Sequence, residues 1–496
     1  MFWKSWTDEF RGAAVWGVLT VCLLLSAGLA GAQGKPSATL ADGTVQALFL
    51  SDIHFEPFFD PAKAAQLAAV PASQWEGILA AAPSADREQK FAALEQTCHT
   101  RGEDTSYPLL ASSLRAIHTD AAGAKFVTVS GDLISHGFTC KFGAVFPKAA
   151  PGDYRAFVQK TLDYLVGELA AALPGVPVYW ALGNNDSDCG DYKLDAHSEF
   201  LAATGESFAQ GFPAAERKGA AESFAAGGYY SVTLPAPLRN ARLLVLDDQF
   251  MGNKYETCGG KDDQSAGDAQ IAWLEQQLAQ ARASKEKIWV MAHIPPGVDV
   301  HSSATHMDQV CGEKGPKMFL ASEKMAEVLA EYSDVVQLAI FAHTHMDEAR
   351  VLRPEGAAAA TGSARGVAVK MVSSISPING NAPSFTLARV DPATAELKDF
   401  RVIAASNSTG AGTTWQEEYD WDKAYHQSEF SAASVSQVIA GFEADPGAKT
   451  DASQAYIKDF YVGGSPLLAL VWPQYVCGLR NDSAQAYKAC VCPAGK

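Results

Sequence analysis

Hydrophobic and polar positions alternate along this chain in a repeating order. A short apolar run ends abruptly in small, acidic or imidazole residues, and a helical stretch follows. Val45 to Leu50 ends in Ser51-Asp52-Ile53-His54, and Lys125 to Val129 runs into Ser130-Gly131-Asp132. Pro177 to Leu182 leads into Gly183-Asn184-Asn185-Asp186, and Ala241 to Leu246 into Asp247-Asp248. Lys287 to Met291 leads into Ala292-His293, and Val335 to Phe341 into Ala342-His343-Thr344-His345. Apolar, β-branched runs of this length read as buried strands. Helices are predicted for Pro108 to Ala122, for Asp153 to Leu173, from Ala269 to about Ala283 behind an Asp268 N-cap, and for Met318 to Tyr332. The inner stripe of the third would be Ile271, Leu274 and Leu278. Strand, polar loop and helix in alternation imply α/β layering. Such sheets carry their ligand sites beyond the carboxyl ends of the strands.

From Val367 onward the pattern changes to strand pairs. Ser384 to Val390 and Leu397 to Ile403 flank the turn residues Asp391-Pro392. After about Ala405, aromatic residues recur at helical spacing, among them Trp415, Tyr419, Trp421, Tyr425, Tyr456 and Phe460. The expected organisation is a catalytic domain over 45–405 and a helical, cysteine-stapled subdomain over 406–496.

Composition narrows the class. The chain has 496 residues, 48% of them hydrophobic and 19% charged, as expected of a globular protein with an ample core. A net charge of −17 argues against a nucleic acid duplex or an anionic membrane as partner. At the amino terminus Lys4 and Arg11 precede an uncharged run from Ala13 to Leu29, and Ala30-Gly31-Ala32 offers a cleavage site. This reads as a signal peptide over 1–32 with a mature start at Gln33, an uncleaved anchor being the alternative. The expected location is secreted or periplasmic, without stable membrane insertion after cleavage. Of nine cysteines Cys22 leaves with the signal. The remaining eight suggest disulfides, whose pairing spacing does not fix. A four-cysteine zinc site is the rival, but Cys490 and Cys492 have the wrong spacing for it.

Asp52, His54, Asp132, Asn184, His293, His343 and His345 each follow a predicted strand. Carboxylate and amide oxygens mixed with imidazole suit zinc, manganese or iron. Seven such groups exceed one tetrahedral ion and suggest two ions sharing a bridging carboxylate.

The order D-x-H, GD, GN, H and H-x-H resembles the signature of the calcineurin-like metallophosphoesterases. It stands here as Asp52-Ile53-His54, Gly131-Asp132, Gly183-Asn184, His293 and His343-Thr344-His345. The acid sphingomyelinase-like branch, which includes the fungal endopolyphosphatases, is closer still. That branch has a histidine four residues past the GD aspartate, as His136 is here, and blocks like Ala292-His293-Ile294-Pro295-Pro296 and Phe341-Ala342-His343-Thr344-His345. The resemblance implies a sandwich of two mixed β-sheets flanked by helices. It implies one metal on Asp52, His54 and His345, another on Asn184, His293 and His343, and Asp132 between them. The two ions would be zinc first, with manganese, iron or cobalt as alternatives. It also implies a Cys258–Cys311 disulfide and a bridge from Cys477 to Cys490 or Cys492.

The implied activity is that of a monomeric phosphoric ester hydrolase. A metal-bridging hydroxide would attack a phosphodiester or phosphoanhydride in line, the substrate being small or oligomeric. An endopolyphosphatase-like hydrolase is one alternative, and a non-catalytic binder of phosphorylated ligands or metal is another. The family usually reads G-N-H, with the histidine contacting phosphate and protonating the leaving group. Asn185 stands there instead, as in the endopolyphosphatase subgroup. Asn donates hydrogen bonds but delivers no proton at neutral pH, so the expected general acid is His136. Between Gln33 and Val45 there is no room for a lipid-extracting domain, which favours a soluble substrate.

Overall fold

The computed structural model describes residues 40, 42–354, 365–463 and 467–492, apart from 101 and 151. The expected signal peptide lies outside the described residues. Among the described residues, twelve strands form two six-stranded sheets. The first sheet contains β1 (Val45–Leu50), β2 (Ala124–Ser130), β3 (Val178–Ala181), β10 (Ser384–Val390), β11 (Leu397–Ala405) and β12 (Trp415–Asp420), in the order β12-β11-β10-β1-β2-β3. The second contains β4 (Tyr230–Thr233), β5 (Ala241–Val245), β6 (Lys287–Met291), β7 (Val336–Phe341), β8 (Glu348–Leu352) and β9 (Val367–Met371), in the order β4-β5-β6-β7-β9-β8.

Both sheets are mixed. β1, β2 and β3 run parallel in the first sheet, as do β5, β6, β7 and β9 in the second, and antiparallel strands complete both. The parallel strands are buried on both faces, which is why they read as continuous apolar runs. Between the sheets, the Trp289 ring meets Phe49 at 5.8 Å and Phe126 at 5.6 Å edge-on. Ile271, Leu274 and Leu278 of the helix Ser265–Ser284 pack with Leu244 and Val290 on the outer face of the second sheet. This is the expected stripe.

Several local readings are corrected. The helix bearing that stripe starts at Ser265, where Asp263 accepts the Ser265 N–H, so Asp268 lies within its first turn and not at its cap. The helix expected from Met318 begins only at Lys324, because Met318 and Leu320 pair with Val298 and Gly252 in isolated bridges. Trp415–Asp420, expected within the helical region, is an edge strand on β11. The rest of the described carboxy-terminal region is helical, from Trp421–Tyr425 to Ala484–Val491. Among the described residues no helix is long and apolar enough to cross a membrane.

The disulfides differ in part from expectation. Cys258 pairs with Cys189, and Cys311 pairs with Cys492. The loop after β3 runs beside Tyr255–Thr257 through a Lys193–Glu256 bridge and the Glu256 N–H to Tyr192 carbonyl bond, which brings Cys189 to Cys258. Cys311 ends a short helix, Met307–Cys311, that packs on the last helix, where Cys492 lies. Cys477–Cys490, one of the two expected alternatives, is formed, and Cys98–Cys140 is the fourth bridge.

Candidate metal centre

The carboxyl ends of β1, β2, β3, β6 and β7 converge, and the polar residues after them leave regular strand geometry. Asp52, His54, Asp132, His343 and His345 all adopt positive φ, between 43° and 71°. Non-glycine residues adopt this region at a cost, which persists only where surrounding contacts fix it. Those contacts are backbone hydrogen bonds between the loops. Asp52 N donates to the Gly131 carbonyl, His54 N to the Asp132 carbonyl, and Ala342 N to the His293 carbonyl. Asp186 ties two of the loops together, accepting from Leu133 N and Ile134 N on one oxygen and from Gly183 N on the other. Asp248 accepts from His293 N and Ile294 N.

Gly131 and Gly183 allow two of these loops to touch. Gly131 has φ +94°, and a Cβ there would lie 2.7 Å from Gly183 N and 2.8 Å from His293 Nδ1. A Cβ on Gly183 would overlap the Asp132 carboxylate. Gly131→Ala is therefore expected to cost about 1–3 kcal/mol in backbone strain alone and to displace His293. Denaturant titration together with turnover checks this. A variant with unchanged stability and activity would show that the close approach is dispensable.

The side chains meet at Asp132. Its Oδ2 lies 3.4 Å from His54 Nε2 and 3.2 Å from His293 Nε2. On the first side, Asp52 Oδ1 is 3.8 Å from His54 Nε2 and 3.5 Å from His345 Nε2, and the two Nε2 atoms are 3.2 Å apart. Nitrogens that close need a shared proton or a shared cation. On the second side, Asp132, His293 and His343 bring their ligand atoms within 4.8 Å of one another. Asn184 donates through Nδ2 to Asp191 at 2.7 Å, which frees Oδ1. Asn185 holds Asp132 from the protein side, its backbone N–H donating to Oδ1 at 2.9 Å and its amide to Oδ2 at 3.0 Å.

The ring tautomers are set by outer partners. His54 Nδ1–H donates to the Ile134 carbonyl and His293 Nδ1–H to the Ser130 carbonyl, so each Nε2 lone pair faces the centre. His343 Nε2 is 3.2 Å from the Tyr192 hydroxyl, and a bond donated by the ring leaves its Nδ1 lone pair free. Four buried atoms among these groups that face the centre have no hydrogen-bond partner: Asp52 Oδ1, Asn184 Oδ1, His293 Nε2 and His343 Nδ1. A buried polar atom left unpaired costs about 1–3 kcal/mol. Oxygen and nitrogen donors left unpaired together around one carboxylate are what divalent cations require, so these residues fit the metals that the signature implies.

The electrostatics agree. Burial is the largest influence on His54 and His293 and opposes their charge, yet Asp132, Asp52 and the other carboxylates around them together outweigh it and raise the two to about 9 and about 10. Burial, together with the charge on His293, lowers His343 to about 3, and burial lowers His345 to about 4. Positive charge is thus drawn to both sides of Asp132.

His136 stands at the edge of this group. Its ring stacks on His54 at 4.0 Å between centroids and is 34% exposed. Its Nδ1 lies 3.1 Å from Asp104 Oδ1, and its backbone N–H donates to Asp104 Oδ2. Ser376 donates to the same carboxylate. Asp104, Tyr192, Asp186, Asp191 and Asp248 are not legible in the sequence as site residues. Asp104 follows no strand, and the acids next to the motifs carry no spacing that separates a ligand from a loop anchor. All nine residues expected at the site lie together here.

The calcineurin-like phosphoesterase family model matches residues 46–347, and the chain belongs to that family. It is accordingly a hydrolase of phosphoric esters, and the family implies divalent metal ions. Within it, the chain is similar to the acid sphingomyelinase-like branch. It is 24% identical to the human acid sphingomyelinase-like phosphodiesterase 3b over 409 residues, covering 79% of this chain and 81% of the relative. Human cyclic GMP-AMP phosphodiesterase SMPDL3A is 24% identical over 65% of this chain and 66% of its own. Sphingomyelinase phosphodiesterase C of Dictyostelium discoideum is 23% identical over 50% of this chain and 49% of its own. The four disulfides fit an exported protein.

Proposed function

We propose that the chain is an exported, monomeric phosphodiesterase with a binuclear centre, zinc being the first choice of metal. Asp52, His54 and His345 would hold one ion, Asn184, His293 and His343 would hold the other, and Asp132 would be shared between them. The observation that carries this reading is Asp132 Oδ2, set between His54 Nε2 and His293 Nε2 amid unpaired donor atoms. When bound, two divalent cations neutralise charge building on the phosphoryl oxygens and make hydroxide available at neutral pH.

The chain's own residues do the rest. Asn185 keeps Asp132 oriented through two hydrogen bonds. In-line displacement at phosphorus would form one P–O bond as the bond to the leaving oxygen breaks, and the leaving oxygen then needs a proton. His136, its Nδ1–H held by Asp104, gives the Nε2 proton to that oxygen. The three relatives are phosphodiesterases by name, which supports a phosphodiester over a monoester. Asn185, in the position where the family has its usual acid, supports a phosphoanhydride as second substrate class, because a phosphate leaves without a proton.

Chelation is expected to abolish hydrolysis of a chromogenic phosphodiester, and zinc or manganese to restore it. Full activity in excess chelator, with metal shown to be removed, would contradict the proposal. Binding of phosphorylated ligands without turnover under any metal would favour a non-catalytic protein. Tyr192→Phe removes the partner of His343 Nε2 and should weaken metal binding by about 10–100-fold, read by competition with a fluorescent chelator. Unchanged affinity would mean that Tyr192 does not orient His343.

A further inference from the structure

The sequence holds three N-x-S/T acceptor sites for N-glycosylation: Asn185-Asp186-Ser187, Asn407-Ser408-Thr409 and Asn481-Asp482-Ser483. Their surroundings differ. Asn185 is 7% exposed and gives its amide to Asp132 inside the metal centre, where no glycan fits. Asn481 is half-buried beside the Cys477–Cys490 disulfide, and its Nδ2 donates to the Cys477 carbonyl at 2.8 Å. The hydroxyl oxygen of its partner Ser483 is also engaged, accepting from Ala486 N as the cap of the last helix.

Asn407 is different. It lies in the loop 406–414 that joins β11 to β12 at the edge of the first sheet. Its Oδ1 accepts three bonds, from Thr409 N at 3.0 Å, Thr409 Oγ1 at 2.8 Å and Thr413 Oγ1 at 2.7 Å. Asn407 is half-buried, as Asn481 is, but its Nδ2 has no partner among the described residues, and Ser408 and Thr409 beside it are exposed. The loop is pinned from below. Gly410, at φ +76°, packs so tightly on Pro108 that no side chain would fit. The Asn407 carboxamide is thus polarised at its oxygen by the threonine of its own acceptor triplet, and its nitrogen is left free.

We propose that Asn407 is the N-glycan attachment site of this chain. Nδ2 attacks the anomeric carbon of a polyprenyl-diphosphate-linked oligosaccharide. The new C–N bond forms as the C–O bond to the diphosphate breaks, the polyprenyl diphosphate leaves, and one Nδ2 proton passes to a base of the transferase. The glycan then stands at the outer edge of the first sheet, on the loop that leaves the carboxyl end of β11, the same end from which β1 runs into the metal centre. The inference rests on the reading that the chain is exported.

The test is translation of the full chain, with its own amino terminus, in the presence of eukaryotic microsomes. Protease protection reports translocation, and digestion with peptide N-glycosidase reports the glycan. The expected result is one glycan on protected chains, lost in N407Q and in T409A and retained in N481Q. Protected chains without a glycan would overturn the proposal while leaving export intact. A glycan that survives N407Q would overturn it as well. Chains that stay unprotected would contradict export and the proposal together.

Discussion

Replacing Asp132 with alanine is expected to abolish phosphodiester hydrolysis and leave a folded protein. The loss should far exceed the about 10–100-fold that removing an outer partner of a metal ligand costs. Asp132 is the only carboxylate within reach of both His54 Nε2 and His293 Nε2 among the described residues, and no neighbour can replace it. The variant should also bind fewer than two ions per chain, measured by elemental analysis after gel filtration. Folding should persist because the core of the sandwich, around Phe49, Phe126 and Trp289, is apolar and independent of the centre. A D132A variant that bound two metals and kept near-wild-type turnover would contradict the shared-ligand reading.

The second large effect concerns the proton. General acid catalysis contributes about 10²–10⁴-fold, and only where the leaving group needs a proton. His136→Ala is therefore expected to lose most activity on an alkyl phosphodiester and to retain much of it on a nitrophenyl ester or a phosphoanhydride. Removal of Asp104, which holds His136 Nδ1, should give the same pattern more weakly. Asn185→His is expected to keep the metals and to raise activity on alkyl esters, since it restores a proton donor beside Asp132. Equal losses on both substrate types in His136→Ala would mean that His136 positions the phosphate. The donor would then be water or another histidine such as His197 or His301.

Much of this centre is legible in the sequence, because its chemistry sits at the ends of apolar runs. A buried parallel strand announces itself by Val, Ile and Leu on both faces, and the first polar residue after it marks the site. The resemblance to a known signature then assigns the seven donors to two groups. What is not legible comes from tertiary partners. Glu348–Leu352 does not read as a strand because of Glu348 and Arg350, yet it is buried, since the two pair at 2.6 Å and Tyr475 hydrogen-bonds to Glu348. Trp415–Asp420 has aromatic spacing that suits a helix, but the free edge of β11 recruits it as a strand. The Cys258 pairing departs from expectation for a similar reason. It depends on which loop runs beside Tyr255–Thr257, and that is decided by the path of the chain after Asn184. Asp104 reaches His136 across 32 residues of sequence, with nothing local to mark it.

The central claim is that two metal ions share Asp132. A diffraction experiment on the active protein, with data collected on either side of the metal absorption edge, addresses it directly. The account predicts two anomalous peaks about 3.5–4 Å apart, one on each side of the Asp132 carboxylate. One should lie against Asp52, His54 and His345, and the other against Asn184, His293 and His343. A single peak, or peaks that leave Asp132 uncoordinated in a protein that still turns over substrate, would contradict it.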